Sequence, residues 1–600
     1  MLNVERAGPG SRRLSRRGFL AGLSVVASAT ALSVACSSRR PGAPATVTPM
    51  PAQPGDSAPG ATATATGPVG DGRVRVKGGA LRVPVQGPSW DTFDADRSRS
   101  NDVARLLGYT HRGIVHHRVP ETGELEGELA TNWEQPDPLT LVFRLAPGLR
   151  WQAAPGRSAR QTTPGDVRVH IERNRDGDPS QFPRSGLYAQ VDRVETPDLG
   201  TVRVRFRRPD PFFLPTLAGP FARVQAPEVV QQVDALDGLD PAQVVGTGRF
   251  RLAAFSPVDG YAVRRGEADT TGESWLDEIR ALAGLSGFAG AYQSFEAKSV
   301  DAVSLPRGLD PATLGPVASG AATATGVPSL MPLGGSYVPT GAPWGNPGLI
   351  GAVFRALDRR RVLAQSFPAG WELSGNVPPP QAASAFADRD LVSLPGYLED
   401  RDRDATEARA LWSAAGGPGL GAVTVDVPDV VHAQLPGLGP AIVANLAQVL
   451  GGTWDLRVET YATVQKRILE RAYGAGANRL WFGFLSPLAS PDPALDLYDL
   501  YNSRSRGFGG LAVPRVDDLT SRAIVEFDAG ARKNLCRSSA LAIHENWGAG
   551  LLYLGVERLN AVRWGYVVAG QPSAFVNSVN TWRDVSLDPS HPAFAGRPPG

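Results

Sequence analysis

The chain has 600 residues, of which 42% are hydrophobic and 20% charged, and a formal net charge of +2. That length and balance describe a soluble chain with room for two or three domains. The positive charge sits at the front: residues 1–35 hold Arg6, Arg12, Arg13, Arg16 and Arg17 against Glu5, a net of +4, so the remainder carries −2 and has no basic footprint for nucleic acid. Cys36 and Cys536 are the only cysteines, too few for a disulfide framework.

In chain order, Ser15-Arg16-Arg17-Gly18-Phe19-Leu20 fits a twin-arginine export signal. The following run, Phe19 to Ala35, is broken by Ser, Thr and Gly. A membrane span wants roughly 20 strongly apolar residues, so residues 1–35 read as a signal peptide. The run ends in Leu32-Ser33-Val34-Ala35-Cys36, which resembles a bacterial lipobox with Cys36 as the lipidated residue. Ser33 stands where leucine is usual, and cleavage at an ordinary small-residue site is the alternative. Residues 36–75 are rich in Pro, Ala, Thr and Gly; they bury too little to offset their ordering entropy and read as a flexible tether.

From Gly78 onward the pattern is that of a folded body. Ala80–Val85 reads as a first strand and Leu141–Leu145 as an alternating one that stops at Pro147-Gly148. Thr163-Pro164-Gly165-Asp166 opens a helix, with threonine as cap and the acid three residues on. Val202–Phe206 is another strand, and Asp404 with Glu407 reads as a capping pair ahead of a helix over Ala408–Ala415. Then strands at Val423–Val427, Trp454–Val458 and Leu480–Phe484 alternate with helices at Pro440–Leu450 and Val464–Tyr473, before a strand at Leu551–Leu554. This alternation predicts an α/β lobe on a partly parallel sheet.

Several short motifs invite an enzyme reading and fail it. Gly246-Thr247-Gly248 is followed by strand-like Phe250–Phe255 rather than a helix, so a dinucleotide-binding turn is excluded. His116 and His117 are adjacent and face opposite sides of a strand, a poor chelate. A serine-hydrolase elbow is missing, and Cys536 falls in a helical run as a small buried hydrophobe. The residues give no reacting constellation for an enzyme and point to no cofactor and no metal.

The order of segments resembles the extracellular solute-binding proteins of family 5, the substrate-binding lipoproteins of oligopeptide, dipeptide and nickel ABC importers. Gly78-Gly79-Ala80-Leu81-Arg82-Val83, Asp91-Thr92-Phe93-Asp94, Leu129-Ala130-Thr131-Asn132-Trp133-Glu134 and Gly148-Leu149-Arg150-Trp151 carry the resemblance, with Val245–Phe250, Trp275-Leu276-Asp277, Ala356-Leu357-Asp358-Arg359 and Pro491-Asp492-Pro493 further on. It implies a two-lobed type II periplasmic-binding-protein fold, α/β, with an extra subdomain on the first lobe. Lobe I would span 76–305 with an insertion at about 120–200, lobe II 306–555, and 556–600 would return to lobe I. The implied function is capture of a peptide or peptide-like small solute for an ABC permease and its ATPase. The protein would be a monomer, exported by the twin-arginine route and lipid-anchored at the outer face of the cytoplasmic membrane, in the periplasmic space. A sensing or signalling lipoprotein reusing the fold is the alternative.

The resemblance also implies a site. Peptide binders of the family often carry, just before the Asp-Pro segment, an aspartate that pairs with the ligand's α-ammonium; this chain has Ala489 there. Asp492 is a substitute or a structural residue. Tyr461, Trp481 and Phe484 fall near the cleft as aromatic walls or as core. Arg99 and Asn101 fall on the opposite side, where Arg99 suits an anionic or carboxylate-bearing ligand or is a solvated surface arginine. The expected ligand is therefore blocked, uncharged or anionic at the end that Ala489 would meet.

Overall fold

The computed structural model describes residues 75–85, 90–119, 123–154, 156–266, 274–285, 287–305, 309–336, 343–367, 371–377, 381, 388–470, 473, 478–484, 492–505, 512–546, 551–568 and 585–598. Arg16, Arg17, Cys36, the tether up to residue 74, and Ala489 lie outside the described residues.

β1 (Ala80–Pro84) forms where the sequence places it, with Leu81 and Val83 in the core. Arg82, between them, is buried against Asp301. α1 (Asn101–Thr110) is capped by the Ser100 side chain, which accepts from the amides of Asp102 and Val103. A hairpin of β2 (Val115–Val119) and β3 (Glu124–Gly127) follows. Next come β4 (Ala130–Asp137), β5 (Thr140–Leu145), β6 (Val191–Asp198) and β7 (Thr201–Phe206). They make an antiparallel sheet in the order β4-β5-β7-β6. α2 (Pro164–Asp176) packs on this sheet and starts with the capping box of Thr163 and Asp166 that the sequence predicts. β8 (Phe250–Ser256), β9 (Gly260–Arg265) and β10 (Glu278–Leu282) then complete a second sheet, β1-β10-β9-β8, in which β1 runs parallel to β10.

Gly246 and Gly248 have a packing reason. A Cβ on Gly246 would come within 1.8 Å of the Thr110 carbonyl oxygen, and one on Gly248 within 2.5 Å of the Tyr109 oxygen. The glycines let the chain run against the end of α1, where the Gly248 amide donates to Thr110 at 2.8 Å. Close backbone approach explains the motif.

The other large sheet has seven strands: β11 (Ala302–Ser304), β12 (Ala322–Ser336), β13 (Trp371–Leu373), β14 (Val423–Pro428), β15 (Trp454–Glu459), β16 (Arg479–Phe484) and β17 (Leu551–Trp564). β14 is parallel to both β15 and β16, so helical crossovers are required. α3 (Leu438–Leu450) and α4 (Tyr461–Leu469) supply them. β12 and β17 pair antiparallel from Ala322↔Trp564 to Ser336↔Leu551, with a register shift between Pro328 and Pro332. Ala322, Val562 and Trp564 belong to the first-lobe core, whereas Leu554 belongs to a second-lobe core. These two strands therefore tie the lobes together, and the irregular stretch lies between the two cores.

The second-lobe sheet is covered on both faces. Leu554, Phe482 and Leu480 pack with one set of helices. Trp481 and Tyr553, the alternate residues, pack with α5 (Ala494–Tyr501), α6 (Pro514–Ala523) and α7 (Ala529–Glu545).

One helix starts earlier than its sequence suggests. The helix read at Ala408–Ala415 spans Arg401–Ala414, and its cap is Asp400, which accepts from the Arg403 amide at 3.1 Å. Asp404 is inside that helix and fully buried, bound by Arg401 at 2.7 Å and by the amides of Gly396 and Leu398. The charged first turn disguised the helix because its acid points inward to partners distant in sequence. α4 likewise begins at Tyr461, three residues before the expected start, under a Thr460 cap.

Candidate functional site

Ligands of open α/β sheets bind outside the carboxyl ends of the parallel strands. Here β14 and β15 deliver Asp429 and Tyr461 to that edge. The Asp429 carboxylate accepts the Val430 amide at 2.8 Å and the Tyr461 amide at 3.0 Å, fixing the two strand ends together. Tyr461 is half-buried. Phe484 ends β16, and its side chain lies outside the described residues.

Trp481 is only 2% exposed and packs in the core with Tyr473, ring centroids 6.5 Å apart. Beneath it, buried Asp426 binds Arg467 and Arg479 at 2.7 Å and accepts the Tyr473 hydroxyl at 3.0 Å. Burial, and then Asp426, push the Tyr473 hydroxyl upward. Asp492 has two partners: its Oδ1 accepts the Ala494 amide at 3.0 Å, and its Oδ2 accepts from Arg532 Nε at 2.6 Å. Its carboxylate is thus already charge-compensated. The Arg532 guanidinium in turn lies 5.5 Å from the ring centroid of Phe212, a first-lobe residue.

On the first-lobe side, residues 91–100 form a tightly held segment. Asp91 accepts from Ser98 Oγ at 2.7 Å and from the Arg99 amide at 2.6 Å. Arg184 donates to the carbonyls of Ala95, Asp96 and Ser98. Asp96 meets His170 at 3.0 Å and Arg173 at 2.9 Å. Burial alone would raise the Asp96 carboxyl, but His170, Arg173 and Asn174 outweigh it and hold it at about 2. The Arg99 guanidinium donates to the Ser180 carbonyl at 2.8 Å and is half-buried, while Asn101 is exposed in the first turn of α1.

Tyr461, Trp481 and Asp492 thus all lie in the second lobe, at the start of α4, inside β16 and just before α5, and Arg99 and Asn101 lie in the first. Sequence reading missed Asp429, Arg532 and Phe212. Only Pro211-Phe212-Phe213, two aromatics after a proline at the end of a strand region, carried a signal. Among the described residues no cluster of three or more His, Cys, Asp or Glu side chains could hold a metal ion, and no helix is long and apolar enough to cross a membrane. Cys536 is buried, and burial pushes its thiol up to about 12, which leaves no reactive thiolate.

The family described as bacterial extracellular solute-binding proteins, family 5 Middle, matches residues 124–501. The chain belongs to that family. Among curated relatives it is similar to the glutathione-binding protein GsiB of Pectobacterium atrosepticum, 27% identical over 178 residues, 30% of this chain and 32% of that protein. The matched stretch therefore spans about a third of that relative's length. HbpA2 from Haemophilus parasuis aligns over 85% of this chain and 100% of its own, with TM-score 0.69 and 17% identity. The ABC transporter-associated periplasmic binding protein DppA from Helicobacter pylori, in complex with peptide STSA, aligns over 85% and 98% with TM-score 0.66 and 18% identity. The Escherichia coli murein tripeptide binding protein MppA aligns over 85% and 98% with TM-score 0.63 and 16% identity. At these identities the solved structures establish the family 5 fold: two lobes of mixed α/β structure.

Proposed function

We propose that this chain is the extracytoplasmic substrate-binding component of an ABC importer, capturing a peptide or peptide-like solute between its lobes for a permease and its ATPase. Family membership across residues 124–501 is the observation that carries this reading. The names of its relatives, a glutathione-binding protein and binders of a tripeptide and of the peptide STSA, support a small peptide-like ligand. Two lobes joined by β12 and β17 suit a hinge that closes on a ligand and buries it.

Within this reading Tyr461 and Arg99 are the side chains offered to the ligand, one from each lobe. Trp481 backs the second-lobe wall, and Asp492 fixes the loop end through Arg532. Export by the Arg16-Arg17 signal and anchoring through Cys36 would hold the protein at the outer face of the cytoplasmic membrane. The decisive experiment is native mass spectrometry of protein purified without denaturation, followed by thermal-shift measurement with what is released and with a panel of di- to pentapeptides and glutathione. A released peptide that raises the melting temperature supports the proposal. A tightly bound sugar or metal chelate, with no peptide raising the melting temperature, sinks the peptide assignment.

A further inference from the structure

Phe212 and Phe213 are neighbours in sequence, yet their rings belong to different lobes. Phe213 packs in the first-lobe core, edge-on to Tyr188 and Phe206 at 5.7 and 5.0 Å. Phe212 turns the other way and joins the second-lobe core formed by Trp481, Leu497, Tyr501 and Cys536. Only 7% of it is exposed. Arg532 of α7 lies 5.5 Å from its ring centroid, and the same guanidinium binds Asp492. The backbone beneath is pinned: the Phe212 amide donates to Asp210 Oδ1 at 3.1 Å, and its carbonyl accepts the Thr216 amide at 3.0 Å. This contact lies outside β12 and β17, the strands that carry the chain between the lobes.

We propose that Phe212 is a latch, a first-lobe ring docked in the second lobe that holds the two lobes closed on one another. Opening the cleft must pull the ring out of its seat, exposing apolar surface on both lobes and ending a cation–π contact that is strongest when desolvated. Such a contact is made or unmade as a unit, so it favours two discrete arrangements rather than a continuum. It also sets affinity. A ligand that binds only the closed form is weakened in proportion to any fall in the closed fraction. The role in capture rests on the binding-protein reading above; the latch itself does not, and it can be tested without a ligand.

The test uses the full chain carrying Cys36→Ala, with Leu199→Cys and Val525→Cys as spin-label sites, one on each lobe. Both positions are exposed, at 96% and 55%, while Cys536 is buried and escapes labelling. Pulsed dipolar distance measurement on ligand-free protein should give a dominant short distance. Phe212→Ala should add a longer one and lower the closed-to-open ratio about tenfold or more, with a larger radius of gyration in solution scattering of the unlabelled protein. Phe212→Leu, which keeps apolar bulk but loses the cation–π contact, should fall between and serves as the test should the alanine variant fail to fold. Distance distributions and radii in the folded variants that match the unsubstituted protein would overturn the latch, whatever the ligand proves to be.

Discussion

Buried His544 illustrates how a single neutral side chain contributes to the acid response of this protein. Its ring packs 5.4 Å from Phe354 and 5.7 Å from Tyr397, with Arg355 and Arg359 close by. Burial, then the charge of Arg359, lowers its pKa to about 4. The folded protein therefore keeps it neutral, while the unfolded chain takes a proton near the usual value of about 6.5. Stability from this group is complete above that value and is lost as pH falls from about 6.5 to about 4. His544→Phe, which keeps the aromatic contacts, should flatten the fall in melting temperature between pH 7 and 4; an unchanged slope would assign the acid response elsewhere. At position 489 the argument is one of absence. If the second lobe lacks an acid for a ligand ammonium, Ala489→Asp should tighten binding of free-amine peptides by about 1.5–3 kcal/mol, the range for hydrogen bonds to charged groups. N-acetylated peptides should show no gain in calorimetry. Tight binding of free-amine peptides by the unsubstituted protein, abolished by acetylation, would mean that another acid serves.

At the scale of elements, what was legible in the sequence followed from locality. β7 alternates buried Val202, Val204 and Phe206 with half-buried Arg203 and Arg205, and α2 carries its own capping box, so each is read from a short window. The elements that were misread depend on distant partners. β17 was expected at Leu551–Leu554 but runs to Trp564, because its far half pairs with β11 and β12 in the first lobe. Asp404 looked like a cap and is a buried acid serving Arg401 and Arg355. Phe212 and Phe213 are indistinguishable in a window, and only the two cores separate them. The Asp404 correction can be measured by urea unfolding. Asp400→Ala removes a helix cap and should cost about 1 kcal/mol. Asp404→Ala takes the buried acceptor from Arg401 and from the amides of Gly396 and Leu398, leaves Arg355 its pair with Glu407, and should cost about 3 kcal/mol or more. Equal losses would restore the capping role to Asp404.

For the whole molecule, the remaining expectation concerns where it stands. The folded body begins near residue 78, and its slightly acidic charge gives no electrostatic hold on an anionic membrane. If residues 36–75 act as the flexible tether their composition predicts, they would span on average about 35 Å between their ends. That reach would let two lobes open and close at a distance from the bilayer, and it would contribute nothing to attachment. If Cys36 is the lipidated residue, retention at the membrane would come from its acyl chains, each buried methylene adding about 0.8 kcal/mol. On that reading Cys36→Ala should move the protein from the membrane to the soluble fraction while leaving its melting temperature unchanged. Replacing Arg16 and Arg17 by lysine acts one step earlier and should accumulate uncleaved precursor inside the cell. The two variants separate export from anchoring. A Cys36→Ala protein that stays with the membrane through a high-salt wash would show that something other than a lipid holds it.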